Sequence, residues 1–445
     1  MTARRALHFN LFLHDTGHHE ASWRLPESDP HALLDLAYHQ RLARIAEDAK
    51  FDSLFLADSP ALFGDVGRRP QGGIEPTVLL TALAVTTSRI GLIATASTSY
   101  NEPYNLARRL SSVDWISGGR AGWNIVTTAG EAAARNFGLQ EQPLHAARYA
   151  RASEFLEVAT KLWDSWEDGA IIADKASGVH ALAERVHAIG HRGEHFQVEG
   201  PLNSPRSPQG YPLLVQAGSS ESGKDFAARW AEAIFTAQPT FEEGRAFYAD
   251  VKRRAVANGR DPEHLKVLPG LVPVIGDTEA EAREIEAELD RLIAPEYARD
   301  QLAKVLGRDP ESLPLDRPLP DDLPSEDEIE GAKSRFTLIV ELARRENLTV
   351  RELIGRLGGG RGHRTFAGTA VQVADTIQHW FENGAADGFN IMPAVLPSGL
   401  EVFVEQVLPI LRERSLFRSE YTGSTLREHY GLPRPVNQRE LAVAS

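Results

Sequence analysis

The stretch Leu213-Leu214-Val215-Gln216-Ala217-Gly218-Ser219-Ser220-Glu221-Ser222-Gly223 passes from an apolar run through small residues into a helical pattern, in which Phe226, Ala227 and Trp230 recur at helical spacing. It reads as a strand, a tight turn and the start of a helix. A strand ending in Gly-Ser-Ser ahead of a helix leaves backbone N–H groups without partners. It also sets two hydroxyls beside them and has no side chain at Gly218 to block approach. Two uses fit equally: Ser219 or Ser220 caps the helix, or the turn holds a phosphate.

The same unit repeats along the chain. Strand-length apolar runs fall at residues 7–13, 53–57, 90–95, 122–127, 212–217, 233–236, 267–275 and 389–392. Helical patterns fall at 31–49, 76–87, 104–116, 148–166, 223–230, 241–258, 279–292 and 400–414. Eight strands, each followed by a helix, predict an α/β fold of the closed (β/α)8 or TIM-barrel type over an open doubly wound sheet. Two segments break the repeat and read as insertions. Residues 167–211 hold Gly193-Glu194-His195-Phe196-Gln197-Val198 and a Pro-rich run from Pro201 to Pro208, a short hairpin and an extended loop. Residues 294–366 hold a Pro- and Asp-dense stretch, a helical pattern at 329–345 and the run Gly358-Gly359-Gly360-Arg361-Gly362-His363, read as a flexible hinge. Long insertions in barrels commonly serve as binding loops or lids. The expected organisation is one barrel domain over 1–420 and a polar arm, 421–445, lying on the surface or on a neighbouring subunit.

With 445 residues, 42% hydrophobic and 25% charged, the chain has the composition of a soluble globular protein, and no run of about 18 apolar residues marks a membrane span. The N-terminus has two arginines but no apolar core of a signal peptide, so the expected location is cytoplasmic. The absence of cysteine excludes disulfides, thiolate metal sites and cysteine nucleophiles. A net charge of -14 argues against a nucleic-acid partner.

Barrel enzymes work at the C-terminal ends of their strands. There the first strand runs into His14, Asp15, His18 and His19, the second into Asp58, the third into Thr95, the fourth carries Trp123-Asn124, and the fifth ends in Ala217-Gly218-Ser219-Ser220. Hydrogen-bonding groups outnumber acids and bases, which suits holding a polar heteroaromatic cofactor better than unaided hydrolysis. A metal at the histidines is disfavoured. Metal-dependent barrel hydrolases usually pair a His-x-His on the first strand with a carboxylate after the last, whereas here the spacing is His-x3-His-His and Asp387 precedes the last strand. Gly358 to Gly362 lacks the Lys-[Ser/Thr] ending of a phosphate loop, and no Gly-x-Ser-x-Gly elbow occurs.

The segment Ser117-Gly118-Gly119-Arg120-Ala121-Gly122-Trp123-Asn124-Ile125-Val126-Thr127-Thr128 resembles the signature of the nitrilotriacetate monooxygenase branch of the bacterial-luciferase-like flavin monooxygenases. Further matches are Gly17-His18-His19 with Trp23-Arg24-Leu25-Pro26, Leu56-Ala57-Asp58, His145 with Arg148-Tyr149-Ala150-Arg151, and Gly200-Pro201-Leu202-Asn203-Ser204-Pro205-Arg206-Ser207-Pro208-Gln209-Gly210. The resemblance implies a barrel that takes reduced FMN from a separate NAD(P)H:flavin reductase and uses O2 to put one oxygen atom into a small organic substrate. Often such a reaction cleaves a C–N or C–S bond. It implies that Gly218, Ser219, Ser220 and Tyr149 hold the FMN phosphate, and that Asp58, Thr95, Asn124 and Ala217 line the ring and ribityl chain. By the same resemblance Thr95 and Asn124 would flank the flavin edge where oxygen reacts, while His14, His18 and Arg24 would sit on the substrate side. His19, His363 and Arg364 would suit an anionic or polar substrate. A homodimer or homotetramer is implied as well. A deazaflavin-dependent oxidoreductase and a non-catalytic flavin-binding protein are the alternatives on the same barrel.

Overall fold

The computed structural model describes residues 5–62, 65–325, 328–329, 333–360 and 362–439. Arg361 of the glycine run, parts of the Pro- and Asp-dense stretch and residues 440–445 of the C-terminal arm lie outside the described residues. The barrel strands are β1 (His8–Leu13), β2 (Ser53–Leu56), β3 (Gly91–Ser97), β4 (Ala121–Val126), β5 (Leu213–Ala217), β6 (Ala233–Thr236), β7 (Lys266–Ile275) and β8 (Gly388–Ile391). They pair in parallel in that order, and β8 pairs back onto β1, so the sheet closes into the expected eight-stranded barrel.

Alternation along each strand makes two cores. Phe12, Phe55, Ile93, Val215, Phe235 and Val272 pack together within the barrel. Leu54, Leu92 and Ile391 pack with helical residues such as Leu42, Leu80 and Leu83, and Trp123 and Leu214 pack with Phe155 and Leu162 of the helix His145–Trp163. Short polar caps set where helices begin. Thr240 with Glu243 and Thr369 with Gln372 form capping boxes ahead of Phe241–Ala257 and Ala370–Glu382.

Both insertions depart from the sequence reading in detail. The first contains two small hairpins, Ile171–Asp174 with Val179–Ala181 and His191–Arg192 with Gln197–Val198, where one was expected. The second contains helices Pro295–Leu306, Lys333–Arg345 and Val350–Gly360, which bury Leu302, Leu306, Phe336, Ile339 and Leu353 in a core of their own. An additional strand, Arg364–Gly368, pairs with Leu271 to Ile275 of β7. Gly358 and Gly359 are not a hinge. They lie within a helix whose close packing they permit, since a Cβ on Gly358 would stand 2.2 Å from Ile293 Cδ1.

Residues 421–439 of the arm, expected on the surface or on a neighbour, pack into their own barrel. Leu426, Arg427 and Tyr430 are buried. Tyr430 Oη donates to Asn10 Oδ1 at 2.6 Å, the Tyr430 ring stacks on His8, and Arg427 pairs with Glu232. These contacts lie at the N-terminal ends of the strands, so this segment floors the barrel and leaves the opposite mouth open for chemistry.

Candidate active site

Strand register places the mouth residues. Thr95 on β3 stands opposite Asn124 on β4, and Asn124 opposite Val215 on β5. The Asn124 Nδ2 donates to Thr95 Oγ1 at 2.7 Å, both residues being buried. Thr95 Oγ1 thereby accepts, which leaves its own proton to donate elsewhere. Asn124 Oδ1 is buried without a hydrogen-bond partner among the described residues. A buried acceptor with nothing to accept is costly, and a ligand donor at that position would relieve the cost.

Gly218 follows β5, three residues (roughly 10 Å) further toward the mouth than Val215. Ser220 caps the helix Glu221–Trp230, its side chain accepting from the Gly223 N–H at 3.2 Å. The capping reading therefore holds, and it leaves the phosphate reading standing. Tyr149 completes this corner with side-chain hydrogen bonds to Ser220 and Thr127. Burial raises its pKa against the opposing pull of those two hydroxyls, so it stays a protonated donor. Ser219 Oγ lies 2.9 Å from Thr236 Oγ1, which in turn accepts from Gln238 Nε2 at 2.9 Å. Glu221, an acid in the same helical turn, is drawn aside by Arg254 at 2.6 Å and by Lys224.

Asp58 lies exposed at the end of β2, where partial loss of water and the nearby Glu75 raise its pKa. Ala217 lies at the end of β5, beneath the turn. Across the barrel, His14 and His18 stand with ring centroids 5.6 Å apart, packed on Phe12. His14 Nδ1 lies 3.2 Å from Asp15 Oδ2. The other basic residues expected near a substrate go elsewhere. His19 bonds to Asp290 at 3.3 Å and to the Ala21 N–H, Arg24 donates to the Leu292 carbonyl, and Arg364 donates to the Pro239 carbonyl at 3.1 Å. No group of three or more His, Asp or Glu among the described residues is arranged to hold a metal. Asp387 sits at the far end of the barrel, bonded to Arg5 at 2.9 Å and paired with Lys252 at 3.2 Å.

Two site neighbours escaped the sequence reading of the strand ends: Thr236, the last residue of β6, and Gln238 just after it; His363, named from the sequence, stands with its ring stacked on Phe235 at 4.8 Å. A Thr-x-Gln at the end of a recognised strand was a usable signal.

The residues fit a flavin mononucleotide on two counts. Asn124 on β4 carries an orphaned acceptor beside Thr95 on β3, whose hydroxyl proton is not used in their bond, and a donor-rich turn without a Cβ at Gly218 follows β5.

The family model described as luciferase-like monooxygenase matches residues 8–387. The chain is 48% identical to N-acetyl-S-(2-succino)cysteine monooxygenase of Bacillus subtilis (strain 168), covering 98% of each chain. It is 47% identical to nitrilotriacetate monooxygenase component A of Aminobacter aminovorans, covering 98% of this chain and 99% of the relative. Among solved structures, EDTA monooxygenase from Chelativorans sp. BNC1 superposes with a TM-score of 0.84 at 38% identity, covering 97% of this chain and all of that one. No helix among the described residues is long and apolar enough to cross a membrane. A closed parallel barrel and similarity along nearly the whole length converge: the chain is a monooxygenase and belongs to the luciferase-like monooxygenase family.

Proposed function

We propose that this chain is the oxygenase component of a cytoplasmic two-component system, taking reduced FMN from a separate NAD(P)H:flavin reductase and using O2 to oxygenate a small organic substrate, with cleavage of a C–N or C–S bond. The name component A carried by one relative at 47% identity supports a second component. When bound, reduced FMN supplies the two electrons that activate O2. The chain's own residues do the rest. The Ser219–Ser220 turn and the Tyr149 hydroxyl hold the phosphate. Thr95 donates its hydroxyl proton and Asn124 accepts through Oδ1, which fixes the ring edge and stabilises developing charge beside it without either group titrating. Ala217 and Asp58 line the ring and chain, and the second insertion lies beside the mouth, where it limits water entry. His14 and His18, just beyond the end of β1 at the same mouth, face the substrate.

The observation that carries this reading is the Thr95–Asn124 pair with its unfilled acceptor. Stopped-flow mixing of the protein loaded with reduced FMN against oxygenated buffer tests it. Reoxidation is expected to be slower than for free flavin, and Asn124→Ala is expected to lower substrate oxygenation by about 10²–10³. Reoxidation at the rate of free flavin in both proteins would sink the proposal.

A further inference from the structure

We propose that a cleft at the rim of the barrel floor, between the end of the helix Glu221–Trp230 and the C-terminal segment, is a second ligand site that takes a small aromatic anion. The cleft has a volume of about 450 Å³ and is lined by Tyr211, Leu214, Arg229, Trp230, Leu432 and Pro433 among others. Leu214 stands near the start of β5 and Trp230 just ahead of β6, so the cleft opens at the N-terminal ends of the strands. The mouth with Thr95, Asn124 and the Ser219–Ser220 turn lies at the opposite ends. An occupant of this cleft is therefore neither the flavin nor the molecule oxygenated beside it, and the site stands independently of the flavin reading.

The acids of the cleft already have partners. Both Glu232 oxygens are taken by Arg427, and one of them also accepts from the Leu214 N–H at 3.0 Å. Asp261 accepts from the Glu263 N–H at 2.8 Å and has His264 at 3.9 Å. Arg260 is committed to the carbonyls of Ala227, Ala228 and Ala231 at the end of the helix. What is left over consists of donors. The Trp230 indole N–H is buried and has no acceptor among the described residues. The exposed Arg229 guanidinium lies 5.0 Å over the Trp230 ring and enters no ion pair among the described residues. Burial raises the pKa of Tyr211, so its hydroxyl stays protonated. A buried N–H with nothing to donate to is costly, and a ligand oxygen would relieve that cost. An orphaned N–H and an unpaired cation beside apolar Leu214, Leu432 and Pro433 are complementary to an anionic oxygen carried on a planar ring. The oxygens take the Trp230 N–H and pair with Arg229, while the ring rests on the apolar side chains.

Benzenesulfonate, the neutral benzenesulfonamide and the ringless methanesulfonate serve as probes. Each is titrated into the full chain, nitrogen-15-labelled in its seven tryptophans, while the indole N–H signals are followed. The Trp230 signal is the one missing from Trp230→Phe. Benzenesulfonate is expected to move it, with or without saturating FMN, and the other two probes to leave it in place. Trp230→Phe keeps an aromatic ring and gives up an N–H that bonds nothing in the chain, so its melting temperature is expected to be unchanged while benzenesulfonate affinity falls about tenfold. Arg229→Gln, at an exposed position, is expected to weaken binding to a similar degree. No response to benzenesulfonate, equal responses to the three probes, unchanged affinity in either variant, or displacement by FMN overturns the proposal.

Discussion

Gly17 fixes the loop after β1 through its missing side chain. Its φ is +139°, and an added Cβ would meet backbone atoms of Ala394 and Val395, which cannot swing away as the end of a side chain can. Gly17→Ala is expected to destabilise the fold by about 1–3 kcal/mol and to displace His18. Urea unfolding gives the first effect, and turnover lost by a larger factor than FMN affinity gives the second, because the phosphate turn lies across the barrel. A variant that unfolds and turns over like the parent contradicts this account. Single residues were unevenly legible in the sequence. Thr95 and Asn124 could be named from their places at strand ends, yet their 2.7 Å contact depends on the register between two strands that the intervening helix keeps apart in sequence. Arg24 and Arg364 were named for their charge, and the backbone carbonyls of Leu292 and Pro239 claimed them.

At the scale of elements, the repeat of strand and helix was readable because each barrel strand is a short apolar run with turn residues after it. The strand Arg364–Gly368 was not, since Arg364 and Thr365 break that pattern and its residues other than Gly368 are only half-buried. The Pro201 to Gly210 motif, which carried much of the resemblance, serves the floor of the barrel. Asp114 is fully buried and accepts from the Ser207 hydroxyl, from Gln209 Nε2 at 2.7 Å and from the Ala121 N–H at 2.9 Å. Arg206 meanwhile binds Asp164 at 3.0 Å and Asp168 at 2.8 Å. Burial pushes the Asp114 carboxyl up from 3.8 to about 6, with the donated hydrogen bonds pulling the other way. Between those values the folded chain keeps a proton that the unfolded chain has released. Asp114 therefore favours folding below pH 3.8, and that contribution is lost as pH rises through about 6, by up to ~3 kcal/mol. Asp114→Asn keeps an acceptor for Ala121 and Gln209 and turns an amide toward the Ser207 hydroxyl. Melting temperature against pH is expected to lose its decline across that interval in the variant, with stability at neutral pH equal to or above the parent's. The same decline in both proteins would assign it to another group.

For the molecule as a whole, the two ends of the barrel have different duties. The mouth carries unfilled acceptors and rings, while the floor is closed by polar groups that satisfy one another. Asn10 donates to Asn390 at 3.0 Å and accepts from Ser53 at 2.7 Å and Tyr430 at 2.6 Å, and Asp52 binds His8 at 3.0 Å and Arg418. Asp52 is fully buried, yet Arg418 and His8 outweigh the cost of burial and hold its pKa down at about 2. Its contribution to stability is present above pH 3.8 and disappears as pH falls toward about 2, the opposite sense to Asp114. The polar composition of the last residues masked this role, because Leu426, Arg427 and Tyr430 are spaced as one buried face of a short helix that only the barrel's underside completes. Removing residues 421–445 leaves every mouth residue in the chain but deletes that face. Truncations of buried Leu and aromatic side chains cost about 2–5 kcal/mol each, against total stabilities of about 5–15 kcal/mol. The shortened chain is therefore expected to lose cooperative melting and with it FMN binding, whereas Tyr430→Phe, which removes only the hydroxyl bonded to Asn10 and Ser53, is expected to cost about 1 kcal/mol and leave FMN affinity unchanged. Calorimetry and flavin titration of the two proteins decide the matter: a truncated chain that melts cooperatively within a few degrees of the parent would return the C-terminal segment to the status of a surface arm.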